Sequence, residues 1–125
     1  MSVLPSKDRA YLLERKIAFE ECAGPPPGII LRAYVVPPGR FNQVTADILI
    51  LLPQGYPDVR PDMFYAMPWL TLAAGGRYPR AADQPFEHSG QRWQRWSRHN
   101  DQWRPGIDGI WTMLRRIDTA LEIAA

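Results

Sequence analysis

The sequence predicts an α+β domain in which helices cover one side of an antiparallel sheet, and three observations point there. Runs rich in β-branched and aromatic residues flank Pro37-Pro38-Gly39-Arg40, apolar residues at helical spacing occur near both ends, and 13 prolines are scattered through the chain. Each proline removes a backbone donor and interrupts a helix, so an all-helical bundle is excluded and the elements must be short. The 125 residues match the usual size of one domain, about 100–150. A single domain over residues 1–125 is therefore expected. Hydrophobic residues at 46% and charged residues at 22% set aside the disordered, collagen-like and coiled-coil classes.

The first element is read as a helix from residue 6 to about residue 22. Ser6 is placed to cap it, Asp8 puts an acid in its first turn, and Leu13, Ile17 and Glu20 or Glu21 fall three or four apart. Ala23-Gly24-Pro25-Pro26-Pro27-Gly28 stops it. Residues 29–36 then read as a strand, Pro37-Pro38-Gly39-Arg40 as a turn and residues 44–52 as a second strand, giving a hairpin. In that second strand Val44, Ala46, Ile48 and Ile50 share one face while Thr45, Asp47, Leu49 and Leu51 share the other, so its end is covered on both sides. Residues 62–67, between Pro61 and Pro68, form a third strand. Residues 69–104 carry few periodic apolar positions and read as a long functional loop. After Pro105-Gly106, the spacing of Ile110, Met113 or Leu114, Ile117 and Leu121 predicts a closing helix, with Asp108 near its positive end.

Composition also bounds the chemistry. Fifteen Lys and Arg against 13 Asp and Glu leave a formal charge of +2, which supplies no wide basic field for a polyanion. One thiol, Cys22, forms no internal disulfide, and with two histidines it falls short of a four-ligand zinc site, so a reducing cytoplasm is expected. Charges in MSVLPSKDRAYLLERK interrupt any export signal, and the longest apolar run, residues 48–53, is too short to span a bilayer. No membrane association is expected. Gly75-Gly76 lacks the lysine and the strand-to-helix setting of a phosphate loop, so no nucleotide or other cofactor is implied.

This order of elements, with Tyr56-Pro57 after the second strand, resembles the ubiquitin-conjugating superfamily. Tyr56-Pro57-Asp58-Val59-Arg60-Pro61-Asp62-Met63-Phe64 and Trp103-Arg104-Pro105-Gly106 agree with that superfamily's two anchors in order and spacing. Leu52-Pro53-Gln54-Gly55, Tyr65, Trp96-Ser97-Arg98-His99 and Ile107-Asp108 make the chain most similar to the bacterial branch called prokaryotic ubiquitin-conjugating family E. The resemblance implies an initial helix, a meander sheet, a long flap and a following helix. It also implies partners: a ubiquitin-like protein, an activating-enzyme-like adenylating protein and a JAB-type metallopeptidase. One departure matters. The pattern requires a cysteine about eight residues before the flap's tryptophan, because a thiolate accepts the modifier as a thioester. Gln94-Arg95-Trp96 occupies that neighbourhood, and the histidine-proline-asparagine triplet is absent from residues 67–82. We therefore expect no autonomous conjugating activity.

The densest candidate for binding lies between Arg92 and Arg104, which gathers Trp93, Trp96, Trp103, Arg92, Arg95, Arg98 and Arg104 with His99. Trp and Arg dominate binding hot spots, and a guanidinium holds a carboxylate through two parallel hydrogen bonds or stacks on an indole. The binding residues expected are Trp96, Arg98, His99, Trp103, Arg104 and Asp108. The competing reading has the tryptophans roof the sheet while the arginines lie in water. Stacking of single-stranded bases ranks third, for want of a basic footprint. His99 is a candidate general base because imidazole titrates near neutrality, or else a partner of Asp101 or Asp108 that fixes the flap. His88 and His99 with Glu87 or Asp101 match no metal-ligand spacing. Two functions compete: recognition by a domain without its thiol, and modifier transfer through Cys22 or a partner's cysteine with His99 as base. A third reading, an unrelated α+β domain with a chance Tyr-Pro corner, requires that no meander be present.

Overall fold

Eight elements follow one another along the computed structural model, which describes residues 3–99 and 101–125. They are α1 (Ser6–Glu14), β1 (Phe19–Cys22), β2 (Gly28–Val35), β3 (Thr45–Leu51), β4 (Phe64–Met67), β5 (Gln84–His88), β6 (Gln91–Trp96) and α2 (Ile110–Glu122). The strands form one antiparallel sheet in the order β1-β2-β3-β4-β6-β5. The α+β reading holds, and the meander expected of a ubiquitin-conjugating-like fold is present.

Two expectations about the first element fail. The helix ends at Glu14, Lys16 turns the chain at φ 58°, and residues 19–22 leave as a strand paired with β2, Phe19 opposite Leu31 and Cys22 opposite Gly28. The outer edge of β2 needs backbone partners, and that demand outweighs a weak three-to-four spacing. Nor does Ser6 cap the helix, whose start carries no side-chain cap bond. The approach to α1 is held instead by Glu21, whose Oε1 accepts from the Val3 and Leu4 N–H groups at 2.9 and 2.8 Å while Arg9 pairs with the same carboxylate.

The alternation in β3 sorts the core into two. Ala46, Ile48 and Ile50 join Ile29, Leu31, Phe64 and Trp96 beneath the helices, where α2 buries Ile110, Met113, Leu114, Ile117, Ala120 and Leu121. At about 1.5–3 kcal/mol for each large side chain, α2 is held far more firmly than α1, whose one buried apolar residue is Leu12. On the other face Leu49 packs with Ile30, Tyr65 and Trp93, flanked by Leu51, Cys22 and Phe86. No described helix covers that face. The sheet closes over it by curling: His88, at the end of edge strand β5, donates from Nε2 to the Pro26 carbonyl at 2.9 Å, beside edge strand β1.

The long loop expected over residues 69–104 is a misreading in its second half, which contains the β5–β6 hairpin. Ser89 and Gly90 turn it with φ 51° and 76°, the pair of positive values a two-residue hairpin turn requires. The remaining flap, residues 68–83, is pinned rather than loose. Leu70, Leu72 and Ala82 are buried in the helix-side core, and Asn42 binds Thr71 in both directions at 2.9 and 3.0 Å.

Candidate functional site

The Tyr56-Pro57 corner, α1 and the start of α2 meet at Asp8. This buried carboxylate accepts from the Tyr56 hydroxyl and, at 3.1 Å, from the Ile110 N–H that opens α2. Burial, with the Asp8 contact second, pushes the Tyr56 hydroxyl far above the ordinary tyrosine range, so it stays a donor. Trp103 stands against the same corner, its Nε1 donating to the Pro57 carbonyl at 2.8 Å. The two family-like anchors of the sequence thus hold the segment after β6 and the first turn of α2 at fixed positions.

Between that segment and α2 opens a cleft of about 600 Å³. Four arginines line it, Arg98 and Arg104 from the segment and Arg115 and Arg116 from the helix, against the two carboxylates Asp62 and Asp108. Both carboxylates are committed. Asp62 pairs with His99 Nδ1 at 2.8 Å, and Asp108 takes Arg104 Nη2 at 3.0 Å, the Arg104 N–H at 2.7 Å and the Thr112 hydroxyl at 3.0 Å. The Arg104 side chain first, then its backbone N–H, hold Asp108 down at about 2. Arg98 lies over the Trp96 ring at 5.0 Å and Arg116 over the Trp103 ring at 5.4 Å. Burial lowers the pKa of both guanidiniums, with Arg80 adding to the effect at Arg98. Chemically, the cleft is a cationic groove with an apolar strip from Phe64, Met113 and Ala120.

Of the six binding residues expected from sequence, Arg98, His99, Arg104 and Asp108 come together here. Trp103 stands behind Arg116. Trp96 has no exposed surface and is a core residue, stacked on Phe64 at 5.3 Å with its Nε1 donating to Gln94 at 3.1 Å. It serves the cleft from beneath, as the plate on which Arg98 rests. The expected pairing of His99 with Asp101 or Asp108 is replaced by Asp62, because Asp101 is taken by Arg60 at 2.8 Å and Asp108 by Arg104. His88 is bound to Pro26 and stacked on Phe86, away from His99's partner. Among the described residues no group of three His, Cys, Asp or Glu is placed to hold a metal, and no helix is long and apolar enough to cross a membrane.

Cys22 is separated from the cleft in two senses. It sits on β1 at one edge of the sheet, whereas the cleft's segment follows β6, and it packs with the cluster on the face away from the helices. Burial first, and the neighbouring Glu20 second, push its thiol up. Sequence reasoning missed four contributors: Asp62, Asp8, Arg116 and Gln94. Arg116 was legible in principle, since it lies on α2 one residue before the core residue Ile117, at the edge of the buried stripe. Gln94 was not legible, because nothing in Arg92-Trp93-Gln94-Arg95 marks the one polar residue that goes inside.

Comparison with known proteins agrees with this architecture. A family model described as Prokaryotic E2 family E matches residues 4–124. No curated protein and no solved structure gives a significant match. The match covers essentially the whole chain, and the antiparallel meander, whose absence would have marked an unrelated fold, is present. The chain therefore belongs to prokaryotic E2 family E, a family of ubiquitin-conjugating-like domains.

Proposed function

We propose that this chain is a ubiquitin-conjugating-like domain without a thioester cysteine, which works as a recognition or adaptor component of a bacterial, cytoplasmic ubiquitin-like modification system. The observation that carries this reading is the cleft itself. Where a conjugating enzyme would need a nucleophile, the chain gathers arginines and a histidine, and its one thiol lies at the far edge of the sheet with a raised pKa. A raised thiol pKa lowers the thiolate fraction on which thioester formation depends. The surface around Arg98 and His99 contacts a ubiquitin-like protein, and an activating-enzyme-like adenylating protein and a JAB-type metallopeptidase complete the partner set. In this reading residues 1–125 form a single domain that carries the surface.

Calorimetry of the full chain with the ubiquitin-like and adenylating proteins encoded beside it tests the reading. Binding is expected, weakened about tenfold or more by Arg98→Ala, as for loss of a charge-assisted contact at a hot spot. Absence of binding, or binding that Arg98→Ala leaves unchanged, counts against it. Incubation with the adenylating protein and ATP separates the enzymatic alternative. A modifier-sized adduct that thiol reagents remove and that Cys22→Ser abolishes would replace recognition by transfer, and none is expected.

A further inference from the structure

A second, smaller cavity of about 330 Å³ opens between α1, β2 and α2, and of its lining residues only Arg115 also borders the cleft described above. Its aromatic walls are Tyr11, Tyr34 and Trp111, one from each element and each half-buried. Local contacts fix these rings before anything enters. The Trp111 Nε1 donates to the Ile107 carbonyl at 3.2 Å, and its ring lies so close over Gly109 that a Cβ there would meet it at 2.7 Å. Tyr11 leans on that ring, with centroids 5.7 Å apart. The Tyr34 hydroxyl donates to Asp118 at 2.6 Å, and burial first, with the Asp118 contact second, lifts its pKa well above the ordinary tyrosine range, so it remains a donor. A preformed, ring-lined cavity of this size suits a ligand built on one ring system.

The charges around the cavity decide what that ring should carry. Arg15, at the end of α1, and Arg115, on α2, both line it, and among the described residues neither forms an ion pair. Asp118 is the one carboxylate of the lining, and it is taken by Tyr34 rather than by either arginine. Two cations against one committed anion disfavour a cationic ligand and favour an anionic one. Arg15 lies over the Tyr11 ring at 4.7 Å, which sets the plane of its guanidinium and leaves its N–H donors for an incoming oxygen anion. Guanidiniums from two different elements suit a phosphate, whose several oxygens can accept from both. Inorganic phosphate would leave the rings uncovered, and a neutral ring would leave the arginines unpaired.

We propose that this cavity binds a small aromatic phosphate, whose ring stacks among Tyr11, Tyr34 and Trp111 and whose phosphate is held by Arg15 and Arg115. The proposal is independent of the recognition reading, which rests on the larger cleft. Binding has a structural consequence. Leu12 is the one apolar residue that α1 buries. A ligand that touches Tyr11 and Arg15 on one side and Trp111 and Arg115 on the other ties α1 to α2, so local opening of α1 should slow when it binds.

The test uses the full chain and four probes: adenosine monophosphate, phenyl phosphate, adenosine and inorganic phosphate. In calorimetry at least one of the two ring-bearing phosphates is expected to bind about tenfold or more tighter than both adenosine and inorganic phosphate. Preference for adenosine monophosphate assigns a nucleotide, and preference for phenyl phosphate a smaller aryl phosphate. Arg15→Gln and Arg115→Gln, both at exposed positions, are each expected to weaken that ligand about tenfold, whereas Arg98→Ala in the larger cleft keeps it. Amide exchange across residues 6–14 is expected to slow in its presence. Trp111→Leu removes the stacking surface and most of the affinity with it; should that variant fold poorly, the two arginine variants decide. The proposal is overturned by no binding of either ring-bearing phosphate, by adenosine or inorganic phosphate binding as tightly, or by unchanged exchange in α1. Loss of binding in Arg98→Ala but not in Arg15→Gln also overturns it, by moving the ligand to the larger cleft.

Discussion

Strand β6 sends one tryptophan to each face of the sheet, and the two environments differ more than their equal burial suggests. Neither Trp93 nor Trp96 exposes any surface. Trp96, on the helix side, has a partner for its indole N–H in Gln94, which in turn takes the Leu70 N–H at 2.7 Å and donates to the Leu70 and Ala82 carbonyls at 2.9 and 2.8 Å. Trp93, on the other side, has no partner for its N–H among the described residues. The helix face is thus built around a satisfied polar network that carries the flap and supports Arg98, whereas the opposite face is an apolar pack closed by the curl of the sheet. The comparison assigns site-building to one face and plain stability to the other.

Breaking the network is expected to have the largest effect. Gln94→Leu keeps the size but leaves the Leu70 N–H, the Leu70 and Ala82 carbonyls and the Trp96 N–H without their partner. Such orphaned groups cost about 1–3 kcal/mol each, so a loss of about 4 kcal/mol or more is expected in urea unfolding, with faster amide exchange across residues 68–83. On the neighbouring residue and opposite face, Trp93→Phe removes ring volume together with a donor that has no partner, and about 1–2 kcal/mol is expected. Similar losses for the two variants would erase the distinction between the faces.

The closure of the second face can be sharpened at its clasp. His88→Ala removes the Nε2 bond to Pro26 and the stacking on Phe86, and about 1–2 kcal/mol should go with them. Protection of β1 amides should fall while binding at the cleft stays unchanged, because the clasp and the cleft lie on different faces. A fall in cleft binding would show that the two faces are coupled.

How far the residues announced this arrangement depends on how local the cause was. Strands β2, β3 and β4 were readable because alternation and flanking prolines act within a few residues, and α2 because its buried stripe repeats at helical spacing. The β5–β6 hairpin had a visible marker in Ser89-Gly90, passed over because the flanking Gln84–His88 and Gln91–Trp96 are polar edge and near-edge strands without a clean apolar alternation. The end of α1 was hidden for another reason: residues 19–22 become a strand only because β2 lies 6 to 12 positions away in register. Arg98, His99, Arg104 and Asp108 were found as a cluster because they are close in sequence. Asp62 and Arg116 enter the same cleft from β4's approach and from α2, and only the tertiary structure brings them there.

Acid should act on the helix side through Asp108. Asp108 is held at about 2 by Arg104, below the roughly 3.9 of an unfolded aspartate. A depressed carboxylate contributes stability that is complete above the unfolded value and is lost as pH falls toward the folded one. Denaturation between about pH 4 and pH 2 should therefore show a decline that Asp108→Asn lacks, while the two proteins keep a constant offset above pH 5. Equal slopes in that window would mean that the Arg104 contact persists in the unfolded chain or does not act on the carboxyl.

The smallest effect is expected at Cys22, and its smallness is informative. The thiol packs beside Ile30 and Leu51 at the edge of the second cluster, is half-buried and is pushed up by that burial and by Glu20. Cys22→Ser exchanges a weakly polar sulfur for a hydroxyl at the same volume, so a change of about 1 kcal/mol or less in stability should follow. Binding at the cleft should not move, since nothing of Cys22 lies on that face. Alkylation of the native chain near pH 8 should be slower than that of the urea-unfolded chain, because fewer native thiols are ionised. Faster native alkylation would mark an activated sulfur, and the division of labour between the two faces would then have to be redrawn with the chemistry on the apolar one.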